Sequence, residues 1–130
     1  MEQDINIPLL RNFKFIHSII LFGSRARGRE GESSDIDLCI IPKPGISVNL
    51  RDRIALENLV PQDVDISLFD DLPVNIRNSV LHEGKVLHTD DLYYVLTLAK
   101  ENDLEYAGYK HRRGIYHDIV MERVREHLGG

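Results

Sequence analysis

The chain has 130 residues, 42% hydrophobic and 28% charged, with a formal net charge of −5. That size suits one domain, and the acidic balance argues against a large nucleic-acid partner, because nonspecific affinity for nucleic acid comes from a basic excess that neutralises phosphates. No apolar run approaches the ~20 residues of a membrane helix, the opening MEQDINIPLL lacks the basic start of a secretory signal, and the one cysteine, Cys39, cannot form an intrachain disulfide; the expectation is a cytoplasmic protein that spans no membrane.

In chain order, residues 8–14 read as a short helix with Pro8 in its first turn. The run IHSIILF over 16–22 is rich in branched apolar residues and predicts a buried strand ended by Gly23. Ser24 is placed to cap a helical turn over 25–28, and the charged segment 29–34 reads as a loop. A second strand, DIDLCII over 35–41, puts Ile36, Leu38 and Ile40 on one face and Asp35, Asp37 and Cys39 on the other. Pro42 and Pro44-Gly45 predict a turn that closes it.

Residues 48–60 read as a helix, and DVDISLF over 63–69 as a third strand with Val64, Ile66 and Leu68 opposite Asp63, Asp65 and Ser67. A helix over 74–83 is expected to end at Gly84 in a left-handed cap, followed by a short edge strand over 85–88. Thr89, Asp90 and Asp91 start a helical region over 91–128, with a break expected near Asn102 or Gly108 and apolar Ile115, Ile119, Val120 and Val124 at helical spacing. The alternation predicts an α/β (α+β) fold: a small mixed sheet with helices packed on it. Residues 1–90 form its core and residues 91–130 a C-terminal helical extension of the same domain.

The segment GSRARGREGESSDID over 23–37 carries the chemistry. Gly23 permits close backbone approach to a phosphate, Ser24 offers a hydroxyl and an N–H, and Arg27 stands one turn further on. Asp35 and Asp37, at i and i+2 of one strand, project from the same face and can ligate the same ion or a pair of ions. Asp65 is the candidate third carboxylate, with Asp63 its competitor. Held phosphates beside clustered carboxylates suit nucleotidyl transfer, in which metal ions stabilise the entering and leaving oxygens.

This combination, LFGSRARG, then SDIDL, then VDIS, resembles the polymerase-beta-like nucleotidyltransferase superfamily over roughly residues 16–88, and within it the minimal nucleotidyltransferase (MNT) group. The resemblance implies that Gly23, Ser24 and Arg27 bind the nucleotide and that Asp35, Asp37 and Asp65 bind magnesium, two ions in all. Asp65 would also help to activate the acceptor hydroxyl. It implies ATP as substrate and, as partner, a HEPN toxin whose tyrosine receives AMP, the chain being the antitoxin. Two other functions stay open at this point: a binding module that neutralises its partner without catalysis, and transfer to a small molecule such as an aminoglycoside. A homo-oligomer is compatible with all three.

Elsewhere the bland readings prevail. Cys39 reads as a small buried thiol, Lys110-His111-Arg112-Arg113 as a solvated helix face, and the six histidines show no zinc-like spacing. Arg112 and His117 match a loose HEPN ribonuclease pattern, in a region too short for a separate helical domain.

Overall fold

The computed structural model describes residues 5–23 and 36–129. The two most apolar runs, Ile16–Phe22 (β1) and Ile36–Pro42 (β2), lie antiparallel at the centre of a sheet, with Ile20 opposite Cys39 and Phe22 opposite Asp37. Val64–Leu68 (β3) runs parallel to β2 on one side, and Lys85–Thr89 (β4) antiparallel to β1 on the other. The order β3-β2-β1-β4 makes this a mixed four-stranded sheet among the described residues, as expected.

Period-two alternation sends the two sets of side chains into two cores. Ile19, Leu21, Leu38, Ile40, Ile66 and Leu68 meet Leu10 of helix α1 (Ile7–Leu10) and Leu56 of helix α2 (Leu50–Asn58). On the opposite face Ile20, Cys39 and Ile41 meet Val80 of α3 (Val74–Glu83) and Val95 of α4 (Leu92–Gly129). With helices on both faces, β1 and β2 are buried on both sides, which explains their near-continuous apolar sequence.

Several boundaries differ from the sequence expectations for local reasons. Asn6 caps α1 by accepting from Leu9 N–H at 3.1 Å, but the helix ends at Leu10, because the chain turns at once to feed β1. Pro42 is the last residue of β2 rather than the start of its turn, and the turn follows with Ile46 N–H donating to Lys43 O at 3.2 Å. Helix α2 is shorter than 48–60 at both ends, capped by Asn49, which accepts from Asp52 N–H at 2.8 Å. After β3 a single 3₁₀ turn, Phe69–Asp71, seats the Phe69 ring in the second core.

Gly84 is not a left-handed cap: its φ is −72° and its ψ 159°, an extended conformation open to any residue. It is required for another reason. A Cβ there would lie 2.4 Å from Val80 O, 2.5 Å from Ile20 Cγ2 and 3.1 Å from Leu21 O, so only glycine lets the end of α3 descend onto β1.

Helix α4 is likewise not broken at Asn102 or Gly108; it is continuous for 38 residues, about 57 Å at 1.5 Å per residue. The two internal glycines, Gly108 and Gly114, cost only ~1 kcal/mol each against alanine, and no proline interrupts the run. Asp91 starts the helix by accepting from Tyr93 N–H at 3.0 Å. Its first turns pack on α3, tied by His82 to Asp103 and by Arg77 to Glu105 at 3.7 Å. Beyond Tyr109 the helix is exposed as far as Glu126 wherever side chains are described, and Ile115, Ile119, Val120 and Val124 find no cover on the sheet. No helix among the described residues is long and apolar enough to cross a membrane.

Candidate active site

Gly23 follows the last residue of β1 with φ +88°, a conformation that disfavours any side chain. The turn brings its Cα over the next strand. A Cβ on Gly23 would stand 2.6 Å from Oδ2 of Asp37, so the glycine lies directly against that carboxylate.

Asp37 is the second residue of β2, and Asp65 the second of β3; the parallel register sets them directly opposite one another. Neighbouring strands lie ~4.8 Å apart, and paired residues share a face, so the two carboxylates stand side by side. Their face is that of Cys39, which is fully buried beneath Phe69 and Val80. Asp37, one step outward, is half-buried, and Asp65 is exposed. The acid pair thus sits at the open margin of the second core, where a charged ligand can reach it without crossing apolar packing. Asp63, its competitor in the sequence, precedes the strand: it sits in the turn before β3, and its backbone O accepts from Ile36 N–H at 3.0 Å.

Three further candidates, Ser24, Arg27 and Asp35, lie outside the described residues, as do the helical turn over 25–28 and the loop over 29–34. Among the described residues no group of three or more His, Cys, Asp or Glu side chains could hold a metal ion. The described part of the site contributes Asp37 and Asp65, two hard-oxygen donors on adjacent strands, which is a donor set suited to magnesium.

The rest of the face is unreactive. Burial pushes the Cys39 thiol from its ordinary 9.0 up to about 12, the Asp70 carboxylate adds to the rise and Arg77 opposes it. A thiol so placed is no nucleophile at neutral pH. Burial also raises Tyr94, with smaller contributions from Asp70 and Glu101. Arg77 holds its guanidinium 5.4 Å from the centre of the Phe69 ring and donates to Asp70 O at 3.1 Å.

A buried polar chain escaped the sequence reading. His17 Nδ1 is 2.7 Å from Ser18 Oγ, which donates to Thr89 Oγ1 at 2.8 Å, while the His17 ring rests 4.5 Å from that of Tyr94. This chain ties β1 to β4 and α4, away from the carboxylates. A cleft of about 430 Å³ opens at the other end of β2, lined by Pro42, Asn49, Arg53 and Asp71; neither Asp37 nor Asp65 lines it. Arg112 and His117 lie five residues apart on exposed α4, about 140° around the helix, and so do not converge.

Comparison with known proteins agrees with this geometry. The family described as "Polymerase beta, Nucleotidyltransferase" matches residues 5–93. A protein of Methanocaldococcus jannaschii named as a candidate protein adenylyltransferase is 27% identical over 111 residues, 85% of this chain and 77% of the relative. Among solved structures, a toxin–antitoxin with AMP-PNP superposes with TM-score 0.76 at 25% identity, over 93% of this chain and 99% of the other. The fold is also that of a chain from a complex described as a tri-AMPylated Shewanella oneidensis HEPN toxin with an MNT antitoxin (TM-score 0.69, 21% identity, 93% and 99% covered). A strand-end glycine packed on a strand aspartate, a second aspartate beside it, and a family match across both place this chain in the polymerase beta nucleotidyltransferase family, and it is a nucleotidyltransferase.

Proposed function

We propose that the chain transfers AMP from ATP to a tyrosine hydroxyl of a HEPN toxin and silences it, acting as the antitoxin of the pair. The observation that carries the reaction is the side-by-side placement of Asp37 and Asp65 with Gly23 packed on the first. Adenine and a protein acceptor are supported by the relatives, one named for protein adenylylation and one solved as a toxin–antitoxin with AMP-PNP. The HEPN identity of the partner rests on the resemblance of the LFGSRARG and SDIDL segments to the MNT group.

In this reading Gly23, Ser24 and Arg27 hold the triphosphate, and Asp35, Asp37 and Asp65 hold two magnesium ions. Magnesium, when bound, neutralises charge on the entering and leaving oxygens. Asp65, the more exposed of the described pair, faces the acceptor and takes the proton of its hydroxyl. The hydroxyl oxygen forms a bond to the α-phosphorus, the bond from that phosphorus to the β-phosphate's bridging oxygen breaks, and pyrophosphate departs. The catalytic unit is residues 1–90, with 91–130 an extension of the same domain. The reaction belongs in the cytoplasm, where ATP is plentiful and Cys39 stays reduced.

The test is incubation of the chain with α-labelled ATP, magnesium and the purified toxin. Label should appear on a toxin tyrosine, and Asp37→Asn should slow its appearance by about 10²–10³. Toxin silenced without label, or label that appears at an undiminished rate with Asp37→Asn, would sink the reading.

A further inference from the structure

Helix α4 carries a second, largely apolar face that nothing among the described residues covers. Val95 and Asn102 point to the core. On the opposite side Tyr93, Leu96, Lys100, Leu104, Ala107, His111, Ile115 and Ile119 recur at spacings of three or four, the interval that keeps residues on one side of a helix. All are exposed, Tyr93 at 77% and Leu104 at 73%. From Tyr93 to Ile119 this seam is about 40 Å long. A largely apolar seam of that length marks an interaction surface.

The charges beside the seam identify the occupant. Acidic Glu101 and Asp103 flank it before its midpoint, and basic Lys110 and Arg112 flank it after. Among the described residues no ion pair engages Glu101, Lys110 or Arg112. We infer that the seam is a homodimer interface in which α4 of one copy lies antiparallel on α4 of a second, centred between Leu104 and Ala107.

That register sets Leu104 against Ala107 of the second copy and Leu96 against Ile115, with Tyr93 one position short of Ile119. Lys100 meets His111, with its aliphatic stem along the seam and its ammonium reaching outward. On one flank Glu101 meets Arg112, and on the other Lys110 meets Asp103, whose carboxylate is also bonded to His82 of its own chain, each pair occurring twice by symmetry. A parallel pair would oppose like charges at these positions. The small side chain of Ala107 at the centre lets the two helices approach closely. The pairing uses the far side of α4 from the sheet, so each globular body lies outside the helix pair.

The test uses the full chain alone, so it does not depend on the toxin or on catalysis. Analytical ultracentrifugation should give twice the 14.9 kDa chain mass. Leu104→Glu, at an exposed position that cannot unfold the core, should halve that mass. Glu101→Arg should weaken the dimer, and Glu101→Arg with Arg112→Glu should restore it. A wild-type mass of one chain, a Leu104→Glu dimer, or a charge-swapped double variant that stays monomeric overturns the inference. So does a monomeric chain that loses toxin binding on Leu104→Glu, because the seam then belongs to the toxin.

Discussion

Gly23 and Asp37 are packed so closely that one methyl group on the first would stand 2.6 Å from a carboxylate oxygen of the second. Because the φ of Gly23 is also +88°, substitution acts twice. Gly23→Ala should cost roughly 1–2 kcal/mol through the backbone alone. It should cost far more in rate, because the displaced carboxylate loses its aim: a misplacement of ~1 Å is worth about 100-fold. The check is a melting curve beside a nucleotide-transfer assay. A rate as near wild type as the stability would show that the contact has no catalytic meaning.

The strand register makes a sharper distinction between neighbouring acids. Asp65 pairs with Asp37 across β2 and β3, whereas Asp63 lies before β3 with its backbone bonded to Ile36. Asp37→Asn and Asp65→Asn should each lower transfer by about 10²–10³, the usual effect of removing one preorganised electrostatic group, with little change in melting temperature. Asp63→Asn should leave transfer unchanged. Single-turnover rates of the three variants decide it; equal losses at 63 and 65 would mean that a general acidic field, not the pairing, carries the chemistry.

What the sequence made legible was whatever a local pattern dictates. Alternation in IHSIILF, DIDLCII and DVDISLF assigned Leu38 and Cys39 to opposite faces, and the structure puts them in separate cores. Asp65 and Asp63 are competitors in sequence, because the strand boundary that separates them depends on how β3 meets β2. Gly84 looks like a helix stop in sequence because two of its three close contacts, Ile20 and Leu21, lie more than sixty positions away. The continuity of α4 through Asn102 was invisible for a similar reason: an asparagine suggests a helix end, yet here packing on α3 holds it inside.

Gly84 should therefore be more fragile in stability than Gly23. A Cβ there meets backbone oxygens of Val80 and Leu21, which cannot move without disturbing α3 and β1. Gly84→Ala should destabilise by roughly 2–3 kcal/mol, as overpacking does, against the smaller backbone cost at Gly23. Urea melts of both variants give the comparison; a milder effect at 84 than at 23 would mean that α3 can lift off β1 without cost.

Cys39 makes a prediction in pH. Its thiol ionises near 9.0 in an unfolded chain and at about 12 in the folded one, because burial disfavours the thiolate. The folded state therefore holds its proton longer. This contribution to stability is complete below 9.0 and falls away as pH rises toward 12. Cys39→Ala should flatten the alkaline limb of stability against pH while lowering stability at neutral pH through the cavity it leaves. Native chain should also resist iodoacetamide at pH 8 and react once urea unfolds it; prompt labelling of folded protein would contradict the burial.

Asn102 is 4% exposed, yet among the described residues neither amide atom finds a hydrogen-bond partner, and the Nε of Arg77 on α3 is likewise unpartnered. A buried donor or acceptor left unpaired costs about 1–3 kcal/mol, and an apolar side chain of similar branched shape removes that penalty. Asn102→Leu should accordingly raise stability by roughly 1–2 kcal/mol, a shift of about 3–8 °C in melting temperature. Asn102→Ala removes the unpaired amide but leaves a void, so it should gain less or nothing. If both substitutions instead lower the melting temperature, the amide is engaged by a partner such as ordered water, and its retention inside α4 serves a bond rather than tolerates a cost.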